Sequence, residues 1–363
     1  MSDLEQNTAP SFPKIPGRAQ GLNVVAIGGG TGLSALLRGL KHYVFSPSVS
    51  PKVEKFSIHG LCAVVTVSDD GGSSGRLRKE FNMLPPGDIR NCIVALSGDE
   101  TLLSRLFQHR FEKGPGLEGH SFGNLFLAAL TSITGDFAEA VRLSSEILVT
   151  RGRIFPATTS NVELEAVMED GCHVLGETNI TANKGRIKEL FLVPPDPEPL
   201  PQTLEAIRMA DIITIGPGSL FTSLIPNLLV RGISSAIANS PAMKVYVCNL
   251  MTQPNESLGR TAGDHIRALN DHAEGNIFDY ALINRTPISA QLKSKYALEG
   301  ASQMVADLDA IEKLGVTAVL GDYLDEAGVA RHASGRVAHD LLELHARVQP
   351  QRPGSGSARG VSI

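Results

Sequence analysis

Tryptophan is absent from the 363 residues, and Phe, Trp and Tyr together make up only 5%. A chain this poor in aromatics is not a stacking platform for single-stranded nucleic acid. Positive charge is also scarce: 33 Lys and Arg stand against 38 Asp and Glu, a formal net charge of −5. That excludes a protein that coats nucleic acid through a basic surface, though not a local basic pocket for one nucleotide. Cys62, Cys92, Cys172 and Cys248 form no C-x-x-C pair, so a zinc ribbon has no support. Cys62 and Cys248 lie in apolar runs, as buried reduced thiols do. No apolar run reaches the roughly 18 residues of a membrane span. The opening residues lack the apolar core of a secretory signal. A cytoplasmic protein with no membrane span and no nucleic-acid partner is expected. No internal repeat is found.

What is present is a chain that is 42% hydrophobic and 20% charged, long enough for two domains or one large α/β domain with an insertion. Residues 1–22, with Pro10, Pro13 and Pro16 among polar neighbours, read as a disordered lead-in, and residues 349–363 as a flexible tail. The folded part is expected over 23–348. Apolar runs at 23–27, 61–67, 211–215, 245–248, 280–283 and 316–320 read as strands. Helical patterns fall at 88–97, 101–110, 120–134, 202–210, 231–239, 263–272 and 337–346. Asp136 and Glu139 read as a capping box for a helix reaching about 148. Residues 44–59 read as a loop or insertion. Residues 156–194 change character: a hairpin turning at Asp170-Gly171, then a strand at 187–193, closed by the stiff segment 194–201. The expected fold is α/β, a Rossmann-like, mainly parallel sheet with helices on both faces and a small β-rich excursion.

Several constellations carry chemistry. Gly28, Gly29, Gly30, Thr31 and Gly32 join the first strand to a helix, and the unpaired N–H groups of a helix start suit a phosphate. The spacing is neither strict G-x-G-x-x-G nor a Walker A loop, and a tight turn with no ligand fits equally well. Gly216, Gly218 and Ser219 repeat the arrangement later in the chain, with Thr222 on the first turn; a plain helix cap is the alternative. Two such turns in one sheet favour a shared ligand at the strand ends. Asp69 and Asp70 end a buried strand on a glycine-rich loop and offer oxygen ligands for Mg²⁺, with Arg76 nearby as a phosphate clamp. An ordinary polar turn accounts for that segment too. Arg90 and Asn91 would lie in a first helical turn, where a cation opposes the dipole, which suggests a ligand or an ion pair. Gly123 and Asn124 head an apolar helix, suited to close approach by backbone or ligand. The neighbouring His120 and Ser121 do not face each other, and no G-x-S-x-G is present. Asn249, Thr252 and Gln253 follow a buried strand and either read a base or sugar or close a turn. Arg331 and His332 form a small basic pair, either solvated or covering a diphosphate.

Taken in order, VVAIGGGTGLSALLRGLK, VTVSDDGGSSGRLR, PPGDIRN, FQHRF, GHSFGNL, TSITGDF, IGPGSLFTSLIPNLLV, NLMTQP and GVARH resemble the gluconeogenesis factor family, the YvcK type of the CofD-like superfamily. The resemblance covers about residues 23–345. It implies a Rossmann-like fold, a cytoplasmic protein, a role in cell shape or growth on gluconeogenic carbon, and binding of UDP-sugars such as UDP-N-acetylglucosamine. The other branch of the superfamily resembles 2-phospho-L-lactate transferase. The chain departs from the family at 44–59, where it is longer, at both tails, and at Arg331-His332-Ala333-Ser334, where relatives commonly read Arg-His-Asp-Thr. Two functions follow: a nucleotide-sugar-binding regulator, or a Mg²⁺-dependent phosphoryl-type transferase holding metal on Asp69 and Asp70. A dinucleotide oxidoreductase is weaker, because the second strand ends in Ser-Asp-Asp-Gly-Gly rather than a lone ribose-binding acid. A homo-oligomer is compatible with either.

Overall fold

The computed structural model describes residues 21–45, 56–98 and 102–348. The expected disordered lead-in up to residue 20, the tail 349–363 and most of the insertion at 44–59 lie outside the described residues.

Seven strands form one parallel sheet: β1 (Leu22–Gly28), β2 (Ile58–Val65), β3 (Arg153–Pro156), then, after an excursion, β7 (Ile212–Ile215), β8 (Met243–Val247), β9 (Tyr280–Asn284) and β10 (Thr317–Gly321). Their spatial order is β10-β9-β8-β7-β1-β2-β3, with every neighbour parallel. Chain order therefore reverses between β1 and β7, which is the position where an open α/β sheet leaves a crevice at its strand ends. Ile212–Ile215 is wholly buried, as a strand covered on both faces must be. Val24–Ile27 pairs with Leu61–Val64 on one side and Ile212–Ile215 on the other. That register brings the turns after β1 and β7 out at the same level.

The excursion is a three-stranded antiparallel sheet, with β4 (Glu163–Met168) between β5 (His173–Leu175) and β6 (Ile187–Val193). Its inward residues Leu164, Ala166, Ile187 and Leu190 belong to the same buried cluster as the main sheet. A ribbon of β11 (Leu324–Glu326) and β12 (Ala330–His332) precedes the final helix Ser334–Val348. Among the described residues no single helix is long and apolar enough to cross a membrane.

Some local expectations shift. The glycine-rich loop after β2 turns helical at Gly72, so Ser73 and Arg76 sit on the helix Gly72–Phe81. Two glycines and two serines at its start have poor helix propensity and hide it from a periodicity reading. Asp136 does cap its helix by accepting from Glu139 N–H, but Glu139 turns to Arg142, so the box is half formed. The reciprocal box is at Thr261 and Asp264. The second glycine turn opens a π-helical stretch, Leu220–Leu224, before the short helix Ile225–Leu228.

Helix Gly30–Leu40 packs on the final helix through Gly39, where a Cβ would fall 2.1 Å from the Ser334 carbonyl oxygen. Propensity alone makes Gly39→Ala stabilising by about 1 kcal/mol. The backbone contact reverses the sign, and we expect a net loss of about 2 kcal/mol. Chemical denaturation checks this; a raised midpoint would mean the two helices do not approach so closely.

Candidate functional site

The turns after β1 and β7 touch backbone to backbone. A Cβ on Gly32 would lie 2.3 Å from the Pro217 carbonyl oxygen, and one on Gly218 3.5 Å from the Gly29 carbonyl oxygen. Gly30 and Gly216 have φ of 62° and 87°, which L side chains rarely adopt. Gly216 N–H donates to the Ile27 carbonyl at 3.0 Å, and the buried Asn227 amide donates to the Gly28 carbonyl at 3.3 Å. Sequence reading missed Asn227, whose partner is 199 residues away.

Together the turns wall one side of a cleft of about 310 Å³. The other side is the segment after β8 and the ribbon strand β12. Asn249 locks onto the second turn in both directions, accepting from Gly218 N–H at 3.1 Å and donating to its carbonyl at 2.8 Å. Gln253 donates to Ser219 Oγ at 2.8 Å, and Thr252 exchanges hydrogen bonds with the Ser302 backbone. Gly29, Gly30, Thr31, Gly32, Gly218, Ser219, Asn249, Thr252 and Gln253 all line the cleft, with His332 of the basic pair, joined by Ser223, Met251, Tyr296 and Ala330, which were not expected there. Tyr296 comes from a helix with no glycine or polar signature of its own. His332 Nε2 donates to the Cys248 carbonyl at 3.0 Å, and burial pushes its pKa down to about 4, so the ring is neutral at pH 7.

Two protein carboxylates already occupy the helix starts. Asp88 accepts from Gly30 N–H at 2.7 Å. Glu256 accepts from Phe221 N–H at 2.8 Å and Thr222 N–H at 3.0 Å. Thr222 is thus buried behind the cleft and spent on Glu256, contrary to expectation. Burial raises Asp88 to about 6 despite the Gly30 bond, with Asp69 adding to the rise. Burial raises Glu256 as well. Glu177, on the excursion, is raised to about 8 by burial and then by Asp69, Asp88, Asp70 and Glu256.

Asp69 and Asp70 do not act as a pair. Asp69 accepts from Gly71 N–H at 2.9 Å, with its other oxygen on the side of Gly87. Asp70 turns to the excursion and caps it, accepting from Thr178 N–H at 2.9 Å and Thr178 Oγ1 at 2.5 Å. Among the described residues no group of three or more His, Cys, Asp or Glu side chains is arranged to hold a metal ion. The two aspartates thus turn to different partners, and Asp69 alone keeps an oxygen on the side of Asp88 and Gly87.

The remaining expected residues lie outside the cleft lining. Arg76 donates to the Glu118 carbonyl at 2.8 Å, and Arg90 donates to Asn91 Oδ1 at 2.7 Å. Gly123 is a packing glycine: a Cβ there would fall 2.8 Å from Arg90 Cγ. Asn124 donates to Ser73 Oγ at 3.0 Å, and Ser73 Oγ lies 3.0 Å from His120 Nδ1. That Ser–His contact spans 47 residues and was invisible in the sequence. Arg331 is exposed, between the two lining residues Ala330 and His332.

The sequence profile described as 2-phospho-L-lactate transferase CofD matches residues 24–324. A gluconeogenesis factor of Halalkalibacterium halodurans is 51% identical over 323 residues, covering 88% of this chain and 96% of that protein. The gluconeogenesis factor of Bacillus subtilis is 47% identical over 322 residues, covering 88% and 97%. This chain belongs to the gluconeogenesis factor family. A crystal structure of a Bacillus halodurans protein superposes with a TM-score of 0.83 at 49% identity, over 89% of this chain and all of that one. Family membership thus extends over the sheet, the cleft and the excursion alike.

In this gluconeogenesis factor homologue Asp88 gives a pH signature. Its carboxyl titrates near 3.8 in the unfolded chain and about 6 when folded. The folded state therefore binds more protons between those values, and this group's contribution to stability falls as pH rises through that window, then stays level. Asp88→Asn keeps an oxygen acceptor for Gly30 N–H but removes the titration. The stability difference, variant minus wild type, should rise between pH 4 and 6 by about 1–2 kcal/mol and then plateau. Denaturant unfolding measured across that range checks it; a difference independent of pH would place the Asp88 titration elsewhere.

Proposed function

We propose that the cleft binds a nucleotide sugar of the UDP-N-acetylglucosamine kind through its diphosphate, and that the protein acts as a ligand-dependent regulator rather than a catalyst. The observation that carries this reading is the pair of glycine turns in backbone contact at the sheet's switch point, both lining one cleft. Thr31 and Gly32 lie on the first turn of their helix, where N–H groups have no intrahelical partner. Those N–H groups and the helix dipole suit a diphosphate. The Tyr296 hydroxyl, which accepts from Ala330 N–H and keeps its own proton to donate, and Gln253 Oε1 are neutral groups for a sugar or base, while Asn249 braces the turn. Arg331 is exposed on β12 between two lining residues, and strand alternation turns it away from the face they line, so its guanidinium has to fold back over the ribbon to meet a diphosphate. The family's name supports a role in growth on gluconeogenic carbon; a cytoplasmic location and an effect on cell shape are part of the proposal and rest on the family resemblance. The transferase reading rests on the family relationship alone.

Calorimetry with UDP-N-acetylglucosamine should show saturable binding. Arg331→Ala should fold normally and bind roughly tenfold to a hundredfold more weakly, the usual effect of losing a charge-assisted bond. Unchanged affinity would take Arg331 out of the site. After prolonged incubation with Mg²⁺ and a cell extract as acceptor source, mass spectrometry should recover the nucleotide sugar intact. Protein-dependent release of UDP or UMP would overturn the regulator reading in favour of the transferase.

A further inference from the structure

Three guanidiniums gather around the turn 118–124, away from the glycine cleft. Arg76 donates to the Glu118 carbonyl at 2.8 Å and Arg110 to the next carbonyl, Gly119, at 2.5 Å. Arg90 lays its stem against Gly123 and donates to Asn91 Oδ1 at 2.7 Å. Every one of these acceptors is neutral. Elsewhere Arg142, Arg231, Arg267, Arg285 and Arg347 all reach a carboxylate. Among the described residues Arg76, Arg90 and Arg110 have none within ion-pair distance. The acids that influence this group are Asp69 and Asp88 near Arg90, and Glu80 near His120.

His120 completes the group. It is buried beside Arg76 and Arg110, and burial and then the Arg76 charge pull its pKa down. Its ring is fixed through Nδ1 by Ser73 Oγ, which is itself held by the Asn124 amide. Nε2 has no partner among the described residues. The Asn124 Oδ1 atom is buried and also without a partner. Half-buried Arg90 is pulled down by burial and then by Arg110. The carbonyl bonds brace the turn, but clustered like charges with no carboxylate within ion-pair distance still repel one another; such a cost is usual where a ligand supplies the missing anion.

We propose that Arg76, Arg90, Arg110 and His120 form a second ligand subsite, distinct from the glycine cleft, that binds the phosphomonoester group of a small metabolite. A phosphomonoester carries close to two negative charges and three acceptor oxygens, which matches several separate guanidiniums better than one carboxylate does. The two subsites meet at Asp88, whose carboxylate bonds Gly30 of the cleft and lies near Arg90. The subsite stands without the nucleotide-sugar reading, and the test separates the two.

Inorganic phosphate and glucose 6-phosphate are titrated by calorimetry into the full-length protein, with and without saturating UDP-N-acetylglucosamine. Wild type should bind at least one probe saturably, the ester more tightly if a metabolite is the natural source and inorganic phosphate if the free ion is. Arg110→Ala and Arg76→Ala, both at exposed positions, should each weaken it by about tenfold while leaving thermal unfolding and UDP-N-acetylglucosamine affinity unchanged. Absence of binding by either probe at millimolar concentration would overturn the proposal. So would binding indifferent to both substitutions, or competition between probe and nucleotide sugar. Arginine-dependent phosphate binding in a protein that ignores UDP-N-acetylglucosamine would sustain this subsite and remove the cleft reading alone.

Discussion

A side chain on Gly32 would collide with the Pro217 backbone, so the turns that end β1 and β7 touch directly, main chain to main chain. Parallel pairing of Val24–Ile27 with Ile212–Ile215 sets the two turns level, and the missing Cβ atoms let them close. Asn227 then ties the second helix to the first turn through the Gly28 carbonyl. The cleft is a consequence. Asn249 can brace the second turn only because that turn is fixed against the first, and Gln253 reaches Ser219 from the same brace. A larger residue at Gly32 would therefore alter stability and site together, whereas most cleft-lining side chains can change without moving the sheet.

The helix starts show which electrostatic effect dominates. A helix N-terminus favours an anion by about 0.3–1 kcal/mol, and each N–H bond to a carboxylate adds to that. Both would lower a carboxylate's pKa. Asp88 and Glu256 are nonetheless raised, with burial as the leading cause. Desolvation outweighs the dipole at both positions. A diphosphate reaching the cleft meets the same dipoles but keeps part of its hydration at the open mouth, so it gains the attraction at smaller desolvation cost. The N–H groups that remain for it are those of Thr31 and Gly32 rather than the ones that Asp88 and Glu256 already hold.

Much of the architecture was legible because its signals are local. Strand–glycine–helix junctions at Gly28 and Gly216 announce a parallel sheet, and the hairpin at Asp170-Gly171 announces the excursion. The cleft residues Asn249, Thr252 and Gln253 were visible because they directly follow a buried strand. What stayed hidden depends on long-range pairing. Tyr296 enters the cleft from a helix whose sequence carries no ligand signature, and of the basic pair it is His332, not Arg331, that lines it. Asp69 and Asp70 look like one motif, yet adjacent side chains diverge, and Thr178 captures the second. His120 looked idle beside Ser121, because its partner Ser73 is on another helix.

The chemistry available in the cleft bears on turnover. A general base works best with a pKa near the operating pH. The cleft's imidazole, His332, is held near 4 and spends Nε2 on the Cys248 carbonyl, so at pH 7 it is neutral and a poor proton acceptor. Asp88, at about 6, and Glu177, at about 8, are closer to useful values; Asp88 holds the Gly30 main-chain N–H, as Glu256 holds those of Phe221 and Thr222, and Glu177 lies on the excursion, outside the cleft lining. Among the described residues Ser73 and His120 form the one Ser–His contact that resembles a nucleophile and base, and Ser73 is buried, outside the cleft lining. A nucleotide sugar held by the glycine turns thus meets hydrogen-bond donors and neutral side chains. Groups of that kind stabilise a bound ground state, and ground-state binding alone leaves a reaction barrier where it was. A transfer reaction here would need its acceptor activated by a group outside the cleft lining, and two groups raised toward neutral pH beyond that lining are Asp88 and Glu177.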